Sequence, residues 1–251
     1  MPQHVLITGG SSGIGAALAL AYAAPGVRLT LPGRDRARLD ATAEDCRARG
    51  AEAAADVLEV SDAEAVAAWL RAADAARPLD LVIANAGIAL ASGLGAERAE
   101  RVRRTFAVNL SGVLNTVEPA IPLMAARRAG QIAVMSSLAG FRGLPSTGAY
   151  SASKAAVKAY GEALRGELAP LGIAVSVICP GFVRSRITDA NRFPMPFLME
   201  AGRAAAIIKR GLARNRARIA FPFSLYAATW LLAALPPALA DRLLVRLPKK
   251  E

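Results

Sequence analysis

Short apolar runs alternate along the chain with longer amphipathic stretches. His4-Val-Leu-Ile-Thr8, Arg28-Leu-Thr-Leu31, Leu79-Asp-Leu-Val-Ile-Ala84, Gln131-Ile-Ala-Val-Met-Ser136 and Gly172 to Ile178 are of strand length. The third of these runs, Leu79 to Ala84, is apolar almost throughout, the mark of a strand buried on both faces. Ala51 to Val57 predicts a weaker third strand, and Arg218-Ile-Ala-Phe221 a seventh. Helical spacing fills the intervals from Ile14 to Ala24, stopped by Pro25-Gly26, and from Asp35 to Arg49, ended by Gly50. Ser61-Asp-Ala-Glu64 has the spacing of a capping box opening a helix to about Ala76. A long helix is expected from near Glu97 to Ala126, bent or broken by Pro119 and Pro122, and another from Tyr150 to Leu168. Strands and helices in strict alternation predict an α/β fold, a doubly wound parallel sheet of Rossmann type in a single domain.

A chain of 251 residues is long enough for one such domain with a substantial core. Alanine accounts for much of the 54% hydrophobic content, which suits helices packed closely on a sheet. Cys46 and Cys179 have no ligand spacing and read as reduced core residues of a cytoplasmic protein. His4 is the single histidine and precedes the first strand, which argues against a Ser-His-Asp triad or a histidine metal site. No basic region leads into an apolar run at the start, so no signal peptide is expected. The net charge of +11 admits a nucleic acid, an anionic lipid or an anionic cofactor as partner. No helix-turn-helix, zinc or aromatic-stacking pattern accompanies it, so nucleic acid is not expected.

Candidate chemistry lies at two places. The first strand runs into Thr8-Gly-Gly-Ser-Ser-Gly-Ile-Gly15. In a βαβ unit Gly9 permits a tight turn, Gly13 lets backbone approach a pyrophosphate, and Gly15 lets helix pack on strand. Tyr150 and Lys154 are four residues apart, which places phenol and ammonium one helical turn apart on one face. Ser137 ends the fifth strand thirteen residues before Tyr150. A nearby ammonium stabilises phenolate, so Lys154 is expected to lower the Tyr150 pKa and fit it for proton transfer. Strand two closes on Leu31-Pro-Gly-Arg34, with no carboxylate for an adenosine ribose and with a guanidinium suited to a 2′-phosphate.

Together these segments resemble the short-chain dehydrogenase/reductase family over most of the chain, to about residue 186. The resemblance implies NAD(P)-dependent hydride transfer between a carbonyl and an alcohol, with NADP(H) favoured over NAD(H) by Arg34. Many NADP-preferring relatives carry a second basic residue in the glycine loop, where this chain has Ser12. The resemblance assigns Thr8, Gly9, Ser11, Ser12, Gly13, Ile14 and Gly15 to the phosphate loop. It assigns Asp56-Val57 to the adenine, and Asn85-Ala86-Gly87 to the cofactor's ribose and to bracing the sheet. Ser137 would hold the substrate oxygen and Tyr150 would act as acid and base. Lys154 would bind the nicotinamide ribose, and Asn109 would hold a relay water. Pro180-Gly181-Phe-Val183-Arg-Ser185 would lie against the carboxamide and imply pro-S transfer, with serine in place of the family's threonine. Homodimers or homotetramers pairing through the long helices beside strand five are implied in the same way. The competing reading is a cofactor-binding, membrane-associated scaffold or sensor without turnover.

Past residue 186 the motifs give out. Residues 1–218 read as the catalytic body, with a substrate lid at 187–200 holding Phe193-Pro-Met-Pro-Phe-Leu-Met199, which suits an apolar substrate. Residues 219–251 read as the last strand and an apolar, basic extension. Ile219 to Ala240 carries no charge, and ten of the 31 basic residues lie between Arg203 and Lys250. Three readings stay open: packing on the domain or a subunit interface, a monotopic anchor on an anionic membrane through 219–250, and a true span. Pro222, Pro236 and Pro237 argue against the last. Ala238 to Leu247 resembles an amphipathic helix with Arg242 and Arg246 on its polar side. An anchor would favour a lipid-like substrate and peripheral location on the inner face of the membrane.

Overall fold

A computed structural model of the chain describes residues 2–91 and 95–244. Strands β1 (His4–Ile7), β2 (Arg28–Gly33), β3 (Glu52–Val57), β4 (Leu81–Ala84), β5 (Gly130–Met135), β6 (Ile173–Pro180) and β7 (Arg218–Phe221) form one sheet. Their order is β3-β2-β1-β4-β5-β6-β7, and every neighbouring pair is parallel. The chain works outward from β1 to one edge, then returns to β4 and works outward to the other. The direction of winding therefore reverses between β1 and β4. Such a switch point leaves a crevice beyond the C-terminal strand ends.

Helices cover both faces, which explains why the strand sequences are apolar without alternation. Val5 and Ile7 face α1 (Gly13–Tyr22), α2 (Arg36–Arg47) and a later helix, in a core with Leu18, Leu39, Ile208 and Leu212. Leu6 points the other way, into a core with Leu70, Val113, Met124, Val157 and Leu164. That side is built by α3 (Ala63–Ala76), α4 (Arg98–Phe106), α5 (Gly112–Val117), α6 (Ala120–Ala126) and α7 (Gly148–Leu168). After β6 come α8 (Arg186–Asp189), α9 (Ala201–Ala213), which joins the first face, then α10 (Phe223–Ala234) and α11 (Pro237–Leu244).

One sequence expectation needs correction, and two others gain detail. The helix after β3 is capped by Asp62, whose carboxylate accepts from the Ala65 amide at 3.0 Å, so the Ser61/Glu64 capping box does not form. The stretch expected as one long helix is three, with Pro119 at the N-cap of α6 and Pro122 in its first turn, where a missing N–H costs little. A π-helical turn, Ala107–Ser111, also interrupts it around Asn109. The uncharged 219–240 run is divided among β7, α10 and α11, and no described helix is long and apolar enough to cross a membrane. Arg246 and the rest of 245–251 lie outside the described residues.

Candidate active site

The glycine loop turns sharply from β1 into α1. Gly9 (φ +69°) and Gly13 (φ +54°) occupy the left-handed region, where a side chain is strained. A Cβ on Gly15 would stand 2.3 Å from the Gly9 carbonyl oxygen, so only glycine lets the helix seat on the turn. Ser12 takes the N-cap position without a side-chain cap, leaving the first amides of α1 open toward the crevice. Thr8 is buried behind this loop. Its hydroxyl accepts from the Asn85 and Ala86 amides at 2.9 and 3.1 Å, and the Asn85 side chain donates to the Thr8 carbonyl at 2.9 Å. Thr8 and Gly15 thus build the loop from behind, while Gly9, Ser11, Ser12, Gly13 and Ile14 face the cavity.

At one end of that cavity stand Gly33, Arg34, Asp35 and Arg38. Arg38 reaches Asp35 at 2.6 Å, and Arg34 lies 3.8 Å from Glu59. The buried Nε of Arg38 has no hydrogen-bond partner among the described residues. Two guanidinium groups side by side at one end of a cavity are a fit for a phosphate. The sequence pattern singles out Arg34 but not Arg38, which differs in no way from the other charges at the start of α2. The Asp56-Val57 assignment is not supported by position. The Asp56 carboxylate accepts from the Trp69 indole at 3.1 Å, Val57 is 57% exposed, and the cavity is instead lined by Leu58, Glu59 and Val60. The available sign was Val60-Ser61-Asp62, the lead into the α3 cap, which fixes how far β3 can run.

The other end gathers Ser137, Tyr150 and Lys154 on the same cavity. Ser137 follows β5, its Oγ accepting from the Ala139 amide at 3.1 Å and donating to the Pro180 carbonyl at 3.4 Å. Its hydroxyl also hydrogen-bonds Tyr150. Ser136 beside it is spent on the Lys154 carbonyl at 2.7 Å. Lys154 Nζ donates to the Met135 carbonyl at 2.8 Å and stands 5.8 Å from the centre of the Tyr150 ring. Burial pushes the Tyr150 pKa above its ordinary value, against a smaller lowering by Ser137. The expected depression by Lys154 is absent here, and burial brings the Lys154 ammonium itself down to about 8. At neutral pH the phenol is therefore a proton donor.

Asn109 does not line the cavity. It is fully buried, its Oδ1 accepting from the Ile88 amide at 2.8 Å and its Nδ2 donating to the Ile88 carbonyl and Ser153 Oγ at 2.9 and 3.1 Å. Both amide donors are thereby used, which leaves one acceptor site on Oδ1. A Cβ on Gly87 would meet Asn109 Oδ1 at 3.3 Å and Lys154 Nζ at 3.4 Å, so Gly87 keeps the passage between them open. Asn85, Ala86 and Gly87 line the cavity, as do Pro180, Gly181, Val183 and Ser185. Ser185 closes against the glycine loop, its Cβ 2.9 Å from where a Cβ on Gly13 would be.

The cavity measures about 970 Å³ and runs unbroken from Arg38 to the lid. Beyond Tyr150 its walls hold Leu90, Leu144, Ile187, Phe193 and Pro196, with Leu225 and Leu232 of α10, and the polar Arg142, Thr147 and Asn191 among them. Open helix-start amides, side-chain-free turns and two guanidinium groups at one end fit a phosphorylated dinucleotide. A phenol, a hydroxyl and an ammonium at the other fit proton transfer. Fold and site together define a dinucleotide-dependent oxidoreductase.

Comparison with known proteins agrees. The family model for short chain dehydrogenases matches residues 3–194, and the chain belongs to that family. It is an oxidoreductase acting between CH–OH and C=O. An uncharacterised oxidoreductase of Myxococcus xanthus is 41% identical over 240 residues, covering 95% of each chain. The 3-oxoacyl-(acyl-carrier-protein) reductase FabG of Staphylococcus aureus is 33% identical over 192 residues, covering 76% of this chain and 78% of its own. A short-chain dehydrogenase of Sphingobium yanoikuyae solved with NADPH superposes with a TM-score of 0.82 at 28% identity, covering 99% of this chain and 97% of the other. One from Burkholderia phymatum solved with NAD gives 0.84 at 28% identity with the same coverage.

Proposed function

We propose that the protein is an NADP(H)-dependent carbonyl reductase or alcohol dehydrogenase acting on an apolar ketone or secondary alcohol. The observation that carries this reading is the convergence of Ser137, Tyr150 and Lys154 on the apolar end of the glycine-loop cavity. Bound there, a nicotinamide dinucleotide supplies or accepts the hydride. Tyr150 gives its proton to the carbonyl oxygen, which Ser137 holds and polarises. A raised Tyr150 pKa keeps that proton in place at neutral pH. Lys154 holds the nicotinamide ribose hydroxyls. Asn109 acts as a positioning residue, fixing the Ile88 backbone and the Ser153 hydroxyl beside Lys154. The segment from Pro180 to Ser185, which lines the cavity, would hold the nicotinamide carboxamide and so set which face of the ring transfers hydride. Residues 1–218 form the catalytic body and 219–251 complete it, and the enzyme pairs as a dimer or tetramer through helices beside β5. A scaffold without turnover has no need of Tyr150 in this setting.

NADP(H) is favoured because Arg34 and Arg38 face the ribose end and no unpaired carboxylate does so: Asp35 and Glu59 are each within ion-pair distance of an arginine. The double variant R34A/R38A is expected to cut kcat/KM for NADPH about a hundredfold and to change that for NADH less than about threefold. Equal losses with both cofactors would show that the arginines do not read the 2′-phosphate.

Lys154 also sets a pH limit. Its pKa of about 8 means that the ammonium is present below that value and lost as pH rises through it. NADPH affinity of the free enzyme is expected to weaken between about pH 7.5 and 9.5, a range in which arginines stay charged. Affinity flat across that range would remove Lys154 from cofactor binding. The whole reading is tested by following NADPH consumption with a series of apolar ketones, and turnover confined to charged substrates would contradict it.

A further inference from the structure

Among the described residues that line the cavity only Asp35 and Glu59 are acidic, and both stand at the ribose end within ion-pair distance of arginines. The cations away from that end are Lys154, Arg186 and Arg142. Lys154 is committed to the Met135 carbonyl beside Tyr150. Arg186 directly follows Ser185, which closes against the glycine loop, and so stands toward the phosphates. Arg142 serves neither purpose. It lies on the loop between β5 and α7, its side chain 21% exposed. Its Nη1 donates to the Leu235 carbonyl at 3.4 Å, and its Nη2 stands 3.9 Å from the carboxylate of Asp241, itself 68% exposed. Both contacts are at the long limit, and an ion pair with so exposed a partner contributes little.

Helix α10 separates this guanidinium from the reacting groups. Near its start Leu225 packs against Gly181 beside Leu138, the neighbour of Ser137: a Cβ on Gly181 would lie 2.9 Å from the one and 3.4 Å from the other. Ala228, Thr229 and Leu232 continue along the cavity wall at helical spacing, and Leu235 is the C-cap whose carbonyl Arg142 meets. At about 1.5 Å per residue the path from Leu225 to Leu235 covers roughly 15 Å. We infer that Arg142 is a specificity-determining residue that takes the carboxylate of an amphipathic substrate, an oxo acid whose ketone lies at Tyr150 and whose apolar chain follows α10. A guanidinium fork matches a carboxylate through two parallel bonds, which a lone carbonyl acceptor does not use. The substrate carboxylate replaces Asp241 as its partner and meets no acid on the surrounding wall. The inference rests on the proposed reduction, in which the ketone carbon takes hydride from NADPH and its oxygen takes the Tyr150 proton, so that the oxo acid leaves as a hydroxy acid. Neutral ketones remain substrates through the apolar chain alone.

Steady-state kinetics with NADPH and either 9-oxodecanoate or its methyl ester test it, the acid being expected to show a KM at least about tenfold lower. R142Q should raise KM for the acid about thirtyfold and KM for the ester less than about threefold. If Arg142 served only to hold the C-terminal end of α10, both would rise together. D241N, at an exposed position outside the cavity, removes the competing carboxylate and should lower KM for the acid about threefold while that for the ester stays put. Equal KM values for acid and ester, or a loss on R142Q shared by both, would overturn the inference and leave the reductase reading standing. Turnover of neither compound, nor of any other ketone, would remove the reaction and the inference with it.

Discussion

Replacing Tyr150 by phenylalanine is expected to lower kcat about a thousandfold and to leave the NADPH dissociation constant within about twofold of wild type. The ring stays, so packing in the cavity wall and the distance to Lys154 are preserved. Only the hydroxyl that hydrogen-bonds Ser137 and gives its proton to the substrate oxygen is lost. Steady-state kinetics with NADPH and a turned-over ketone, beside a fluorescence titration, separate the two effects. A parallel loss of binding would mean that Tyr150 holds the cofactor. Undiminished turnover would dismiss it as the proton donor.

Gly15→Ala should damage the fold and the cofactor site together. The added methyl would lie 2.3 Å from the Gly9 carbonyl oxygen and 2.6 Å from Asn85 Nδ2. The first of these is backbone, held in place by the Gly9 amide bonding to Pro32 at 2.9 Å. Since neither partner can swing away, the helix start must lift from the turn. Overpacking of this kind costs about 3 kcal/mol, which at ~2–4 °C per kcal/mol lowers Tm by roughly 6–12 °C. NADPH affinity should fall at least about tenfold, because the same shift moves the open amides of α1. Thermal melts with and without NADPH measure both, and an unchanged Tm would show that the loop has room it does not display.

Much of the fold was legible because parallel strands covered on both faces announce themselves as unbroken apolar runs. Val5, Leu6 and Ile7 serve two cores from three successive positions, and no other arrangement uses such a run so fully. The positions of Ser137, Tyr150 and Lys154 followed from chain geography, since strand ends and helix starts meet at one edge of such a sheet. What stayed hidden had physical reasons. The π turn at Asn109 is a main-chain rearrangement with no residue type of its own. Leu58, Glu59 and Val60, just past the end of β3, line the cavity where Asp56 and Val57 do not, and no residue type in that turn announces it. Arg38 was lost among similar charges until the fold turned it into the cavity. The Tyr150 pKa was argued from its charged neighbour, whereas burial is the larger effect. Helix α10, apolar on every side, offered no periodicity from which to choose a face; its place in the cavity wall depends on contacts with Gly181, Phe141 and Arg218.

The central claim is that one cavity takes a nicotinamide dinucleotide with its phosphate end at Arg34 and Arg38 and its reactive end at Tyr150. A side-by-side fluorescence titration of the purified protein with NADPH and NADH tests it most directly. Saturable binding of both, with NADPH at least about tenfold tighter, is the expected result. Binding of neither would leave Tyr150 and Lys154 with no hydride source and would contradict the account.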